Sequence, residues 1–485
     1  MKTSTLLRSS LRAVVLTIFL PLCGHAGDDP RPNILFILAD DLGWGDPSCY
    51  GNKQFKTPAL DRLASEGALF TQYYQGASVC SPSRCTLMTG RWPAELRLHG
   101  HLDTAERNTE RDMAQCLDPQ VATLPRLLHS AGYFTAHIGK WHLGRPLPAG
   151  AGLSDYGFEE TRWLDAEGDL AGEDVNLWTI KHRPHASRVL VDAVLDVLQH
   201  AKEMPARPFY CQLWLNDPHA PLAPSVEQMH PFHGYEPDGI TTPFAVYAAT
   251  VTEMDRQIGR LLAKLDELGF SRNTIVIFSS DNGPEDIEII NATWSGIGSA
   301  GPLRGRKRSI YDGGIRVPLL VRWPGVLPAG QVNARAVISG ADWLPTLCAL
   351  AGVSMPDATQ ATQRGENVAA ALKGDLSFRR TRPLFWEWRF QIVNHPWNHS
   401  PILAIRDGGW KLLLNPDHSR IELYDMDADP GEQDNLASQH PDLVARLSAQ
   451  ALAWQKTLPP GVIEPGAGKC DYPWPKAAAT GRLTP

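Results

Sequence analysis

The sequence predicts an α/β protein: a large mainly parallel sheet flanked by helices, followed by a smaller C-terminal antiparallel sheet plus a helix. Short apolar runs alternate with helical patterns along the first three quarters of the chain, as expected of strands covered on both faces by helices. From about Pro383 the texture changes to short aromatic or aliphatic runs separated by turn signals. With 485 residues, 43% of them apolar and 20% charged, the chain can build one large core and a smaller one.

In chain order, residues 1–26 read as a secretory signal. Lys2, Arg8 and Arg12 precede an apolar run over 13–22, and Gly24-His25-Ala26 puts small residues where a signal peptidase reads. That run is shorter than the roughly 20 residues a bilayer span needs, and no later run is longer, so no membrane span is expected and the protein is expected to be secreted or periplasmic. Strands are predicted at 33–39, 134–138, 209–215, 274–280 and 317–322, and helices at 59–66, 124–131, 187–202, 244–268 and 342–351. Gly67, Gly132, Gly269 and Gly352 follow four of these helices, where a left-handed residue commonly closes a helix. Residues 355–375, rich in Gln, Thr, Ala and Gly, read as a join, giving a larger domain over 27–375 and a smaller one over 376–485. The smaller carries strand signals at 384–390, 402–405, 410–414 and 422–424, the turn Asp407-Gly408-Gly409 and a closing helix at 442–454.

Loss of residues 1–26 would remove three basic residues and no acid, taking the formal charge from −7 to −10. Such a chain is a poor binder of nucleic acid, and an anionic substrate must be held by local cations and a metal. The cysteines Cys49, Cys85, Cys116, Cys211, Cys348 and Cys470 are spaced neither as a zinc cluster nor as a dense disulfide framework.

Polar residues fall immediately after the strand runs: Asp40-Asp41, Lys140 and His142, His219, and Asp281-Asn282. Ligand sites of open α/β sheets gather outside the carboxyl ends of strands, so four strands deliver polar side chains to one edge. Adjacent aspartates repel unless a cation lies between them. Asp40, Asp41, Asp281 and Asn282 offer only oxygen, which suits calcium or magnesium better than zinc. His137 falls on the opposite face of its strand from Lys140 and reads as a packing residue.

The string Cys80-Ser81-Pro82-Ser83-Arg84, continued by Cys85-Thr86-Leu87-Met88-Thr89-Gly90-Arg91, resembles the signature of type I sulfatases of the alkaline phosphatase superfamily. Residues 132–142, ending Gly139-Lys140-Trp141-His142, resemble the second sulfatase signature, and residues 301–318 resemble the segment that supplies a second active-site lysine, Lys307. The resemblance implies an alkaline-phosphatase/sulfatase-like fold and oxidation of Cys80 by a formylglycine-generating or sulfatase-maturing enzyme. Formylglycine hydrates to a gem-diol that attacks sulfur, expels the alcohol and passes through a covalent sulfate intermediate. One calcium ion would be bound by Asp40, Asp41, Asp281, Asn282 and the modified Cys80. By the same resemblance Arg84 stabilises the nucleophile, Lys140 binds sulfate oxygens, His142 takes the proton that triggers elimination, and His219 and Lys307 serve the leaving alcohol. The expected substrate is a sulfate monoester, on a carbohydrate by family and export. Rival readings are a phosphonate or phosphate ester hydrolase of the same superfamily and an unmatured exported glycan-binding protein.

Arg306 and Arg308 flank Lys307 where the commoner pattern has glycines, and read either as a solvated face or as contacts for further anionic groups. Trp163, His395, Trp397 and His399 are candidates for stacking on a sugar ring, and Asn291-Ala292-Thr293 and Asn398-His399-Ser400 are glycosylation sequons.

Overall fold

A computed structural model describes residues 31–144, 152–164, 176–177, 179–236, 241–286, 294–393 and 395–470. The expected secretory signal and the Asn291 sequon lie outside the described residues. The first sheet contains β1 (Asn33–Ala39), β2 (Ala68–Tyr74), β3 (Phe134–Lys140), β4 (Glu160–Leu164), β5 (Phe209–Trp214), β6 (Thr274–Ser280), β7 (Arg316–Arg322), β8 (Gln331–Asn333) and β9 (Ile338–Ser339). Their order is β4-β3-β5-β1-β6-β7-β2-β8, with β9 also on β2. Pairing is parallel from β4 through β6, and β7 runs against both of its neighbours.

The central strands β1, β3, β5, β6 and β7 are buried along their whole length, which explains why apolar residues predominate in them. Four strands escape the sequence reading: β2, β4 and the short β8 and β9. In β2, Thr71 and Gln72 interrupt the apolar run and no turn residues beyond Gly67 mark its start. The edge strand β4, Glu-Thr-Arg-Trp-Leu, buries only its last residue fully.

Helices cover both faces. On one, Leu87 and Met88 of Cys80–Thr89, Leu124 and Leu128 of Leu124–Ser130, and Trp343 of Trp343–Leu350 share a core with Phe36 and Ile277. On the other, Leu60 of Pro58–Glu66, Leu190 of Ala186–Glu203 and Ile258 of Pro243–Glu267 pack on Leu35 and Val276.

The second sheet is antiparallel, in the order β10 (Leu384–Glu387), β11 (Leu403–Asp407), β12 (Trp410–Leu414) and β13 (Glu422–Asp425). One face, through Trp386, Ala404, Leu413 and Tyr424, joins the core of the large sheet. The other, through Leu403, Ile405, Leu412 and Leu423, packs on Leu447 and Ala451 of the Pro441–Gln455 helix. A buried ion network also ties the sheets: Lys411 Nζ lies 2.8 Å from both Asp312 Oδ1 and Glu432 Oε1. The seven described cysteines are free thiols, and no helix among the described residues is long and apolar enough to cross a membrane.

Lys411→Ala takes from the buried Glu432 the cation it pairs with and leaves Asp312 to Arg316, and is expected to cost about 3–5 kcal/mol of stability, read as a lower urea midpoint.

Candidate functional site

Register determines which residues meet. Leu38 of β1 pairs with Trp214 of β5, and Ala39 with Ser280 of β6. The residues after these strands therefore emerge side by side at one edge, and backbone bonds hold them there: Asp40 N–H donates to Asp217 O at 3.1 Å and Asp281 N–H to Ala39 O at 3.1 Å. Asp41 adopts a left-handed φ of 67°, which a short polar side chain tolerates. Its N–H donates to Asp281 Oδ1 at 3.2 Å, and Asn282 Nδ2 donates to Asp41 Oδ1 at 2.7 Å.

Cys80 is the first residue of a wholly buried helix, and Arg84 lies one turn on along the same face. The Arg84 guanidinium donates to Asp281 Oδ2 at 2.7 and 3.1 Å and to Lys140 O at 2.9 Å, stands 3.7 Å from Asp40 Oδ2, and lies over the Trp214 ring. Lys140, the last residue of β3, places Nζ 2.5 Å from Asp40 Oδ2, and Lys307 places Nζ 2.7 Å from Asp41 Oδ2. His219 Nδ1–H donates to Ala220 O at 2.6 Å, which leaves Nε2 as the acceptor nitrogen, 3.8 Å from Asp41 Oδ2. His142 Nε2–H donates to Leu102 O at 3.0 Å, and its Nδ1 has no partner among the described residues.

The i, i+2 spacing suggested that Lys140 and His142 share a face of one extended segment. The strand in fact ends at Lys140, and a left-handed φ of 53° at His142 directs the imidazole. Asp40, Asp41, Cys80, Arg84, Lys140, Asp281, Asn282 and Lys307 are all buried, whereas the His219 side chain is 22% exposed and opens toward solvent.

The donor set fits a hard cation. Asp40, Cys80 and Asp281 present ligand atoms within 4.8 Å of one another, as do Asp40, Asp41 and His219. Asp40 Oδ1 and Asn282 Oδ1 are buried acceptors with no hydrogen-bond partner among the described residues, an arrangement that costs about 1–3 kcal/mol for each group left unmet.

Comparison with known proteins gives the chain its family. Residues 32–353 match the family described as Sulfatase, and residues 305–456 match N-sulphoglucosamine sulphohydrolase, C-terminal. The chain belongs to the sulfatase family. It is a sulfuric ester hydrolase. It is 30% identical to an N-acetylgalactosamine-6-sulfatase of Canis lupus familiaris, over 92% of this chain and 90% of that protein. It is also 30% identical to an N-acetylgalactosamine-6-O-sulfatase of Bacteroides thetaiotaomicron, over 86% of this chain and 92% of that protein. Among solved structures, Ps i-CgsB in complex with k-i-k-neocarrahexaose superposes with a TM-score of 0.71 at 25% identity, covering 90% of this chain and 95% of that one.

Within this sulfatase the charges are interlocked. Burial works to raise the Asp40 carboxyl, but Lys140, His219, Arg84 and Lys307 outweigh it and hold it well below the usual carboxylate range. Asp281 goes the other way, raised by burial and then by the neighbouring Asp40. Burial works against the charge of Lys307, yet Asp41 and Glu285 outweigh it and keep the ammonium form. Glu285 is a site residue the sequence reading missed: it lies 3.5 Å from Lys307 Nζ and grips Arg308 with both oxygens. Its only sequence signal is an acid two residues past Gly283.

Other sequence candidates have structural employment. Arg306 donates to the carbonyls of Glu285, Gly296 and Gly298 and so braces a loop rather than facing solvent. Trp163 lies in β4 against the core, Trp397 packs on the Arg304 guanidinium at 4.6 Å, His395 Nδ1 accepts from Trp397 N–H, and the His399 carbonyl accepts from Arg420. Asn398 is buried and its amide donates to Asp286, so the folded chain does not offer that sequon for glycosylation.

His137 packs edge-on to Trp141 and Trp214, and its Nδ1–H donates to Gln212 Oε1 at 2.9 Å. Burial, only partly offset by that bond, pushes its pKa down to about 3. The unfolded chain takes up this proton near pH 6.5 and the folded chain only near 3, so the stability present above pH 6.5 falls by about 1.4 kcal/mol per unit as acid is added across that window. His137→Phe is expected to remove this part of the slope. Between about pH 6.5 and 5 the parent should lose about 2 kcal/mol more than the variant in urea unfolding.

Proposed function

We propose that this sulfatase is exported through residues 1–26 and hydrolyses a sulfate monoester on a carbohydrate, using a formylglycine made from Cys80 and one bound calcium ion. Residues 27–375 form the catalytic domain in this reading and 376–485 the C-terminal subdomain. The observation that carries it is the meeting of Cys80 with Asp40, Asp281, Arg84 and two lysines in one dry cluster that contains unmet oxygen acceptors. The carbohydrate assignment draws on the relatives, two of which are N-acetylgalactosamine 6-sulfatases and one of which is solved with a neocarrahexaose.

Formylglycine supplies, as its hydrate, the oxygen nucleophile that a thiol cannot. Calcium would be held by Asp40, Asp41, Asp281, Asn282 and the modified residue 80, and when bound supplies positive charge that favours an ionised nucleophile and polarises sulfate oxygens. The chain's own groups divide the remaining work. Arg84, fixed by Asp281 and the Lys140 carbonyl, places a permanent cation one helical turn from position 80. Lys140, paired with Asp40, binds sulfate oxygens from the β3 side. His142 keeps its Nδ1 lone pair because Nε2–H is committed to Leu102 O, and burial and the neighbouring Lys140 lower its pKa, so it is the neutral base. His219 and Lys307 meet at Asp41 on the side assigned to the leaving group, where Lys307, kept as an ammonium by Asp41 and Glu285, protonates the departing alcohol and the neutral His219 lines its path.

Cys80→Ala is expected to lower sulfate release by at least about a thousandfold while leaving the thermal melting point within a few degrees. In protein from a host with the maturing enzyme, the tryptic peptide containing position 80 should carry one oxygen in place of the sulfur and two hydrogens fewer, the composition of an aldehyde rather than of serine. An intact thiol in fully active protein would refute the reading. Calcium added to chelator-treated protein is expected to raise the melting temperature, and Asp40→Asn to abolish that rise. Equal melting with and without calcium would count against the assigned ion.

A further inference from the structure

The segment around Lys307 places arginines on both sides of the lysine, and the two are used differently. Arg306 spends its guanidinium on backbone carbonyls. Arg308 takes a left-handed φ of 73°, a conformation that glycine adopts freely and a residue with a Cβ only at a cost. The chain thus keeps a glycine-like backbone and carries an arginine on it, which the turn itself does not require. Strain of this kind persists where a side chain is needed in one place.

That place is the lip of the site. Arg308 N–H donates to Ser78 O at 2.9 Å, two residues before Cys80. Its guanidinium is held end-on by Glu285, with Nη1 2.5 Å from Oε1 and Nη2 3.1 Å from Oε2, and Glu285 also stands 3.5 Å from Lys307 Nζ. The orientation of Arg308 is therefore fixed relative to Lys307. The side chain is 19% exposed, against 4% for Lys307 and 0% for Arg84, so it is a cation that substrate can reach from outside. Glu285 occupies one edge of the guanidinium and leaves other N–H groups for a second oxyanion. Next to position 80, Leu102 N–H donates to Ser81 Oγ at 3.0 Å. The preceding residue, His101, lies in the field of His142, Arg111, Arg308 and Lys307. In the proposed reading Lys140 and Lys307 serve the scissile ester, and Arg308 has no part in that ester's turnover.

We propose that Arg308 is a specificity-determining residue whose remaining N–H groups bind a second anionic group of the substrate, a sulfate or a carboxylate, on the same sugar as the scissile ester or on the next one. The proposal rests on the reading of this site as a carbohydrate sulfatase.

The test measures affinity rather than turnover. Full-length protein carrying Cys80→Ala, with calcium present, is titrated calorimetrically with a monosulfated N-acetylhexosamine, the same sugar bearing a second sulfate, and the same sugar joined to a uronic acid. With Arg308 in place, at least one dianion is expected to bind about tenfold or more tighter than the monoanion, and the arm with the larger ratio identifies the second group. Arg308→Gly, a residue at ease at this φ, should bring the ratio to within about twofold of one, and Arg308→Lys should retain part of it. Equal affinities in the Arg308 protein, or a ratio that survives Arg308→Gly, would overturn the proposal. Failure of the Cys80-intact enzyme to release sulfate from any of the three esters counts instead against the proposed function, because the affinity ratios are read without turnover.

Discussion

Burying several carboxylates at one dry sheet edge is the constraint to which the rest of the structure answers. Asp40, Asp41 and Asp281 are wholly buried, and an ionised group taken out of water without a partner costs several kcal/mol. Compensation comes from three separate parts of the chain: Arg84 from the helix that begins at Cys80, Lys140 from the end of β3, and Lys307 from the loop before β7. Each cation is held to a particular carboxylate oxygen, so satisfying the charge also fixes these three segments relative to the ends of β1 and β6. The oxygens left over, Asp40 Oδ1 and Asn282 Oδ1, are those a hard cation can use.

The small C-terminal sheet serves the same end at a distance. Ser400 Oγ accepts from Ile310 N–H at 3.1 Å, Asn398 donates to Asp286, and Glu432 Oε2 accepts from Asp312 N–H at 2.6 Å. These bonds bracket both loops that meet at Lys307, the one carrying Glu285 and the one carrying Lys307 itself. Since the sheet shares its apolar face with the core of the large sheet, it acts as a rigid buttress for the loops that carry Glu285 and Lys307.

Much of this was legible in the sequence, for identifiable reasons. β1 and β6 are buried on both faces, so their apolar runs mark their full lengths, and the polar residues that follow announce the edge. Cys80, Arg84, Lys140, His142 and Lys307 stood out in the sequence through motifs and His219 through its place after a strand run, and the fold brings Cys80, Arg84, both lysines and His219 to the buried carboxylates. β2 and β4 were not, because one carries polar residues mid-strand and the other is an edge strand with mixed exposure. Glu285 gave almost no signal, since an acid in a loop gains meaning only from the cations that fold against it.

The sequence by itself determined the strand and helix periodicity, the oxygen-rich donor set and the chemical types gathered after strand ends, because these are local properties of residue order. Tertiary structure alone decided which carboxylate oxygen each cation holds, which nitrogen of His142 and His219 keeps its lone pair, that Arg306 braces a loop while Arg308 reaches the lip, and that Trp397 and Asn398 are already occupied. Those outcomes depend on strand register and on backbone carbonyls contributed by remote segments. No residue type encodes them until the chain has closed on itself.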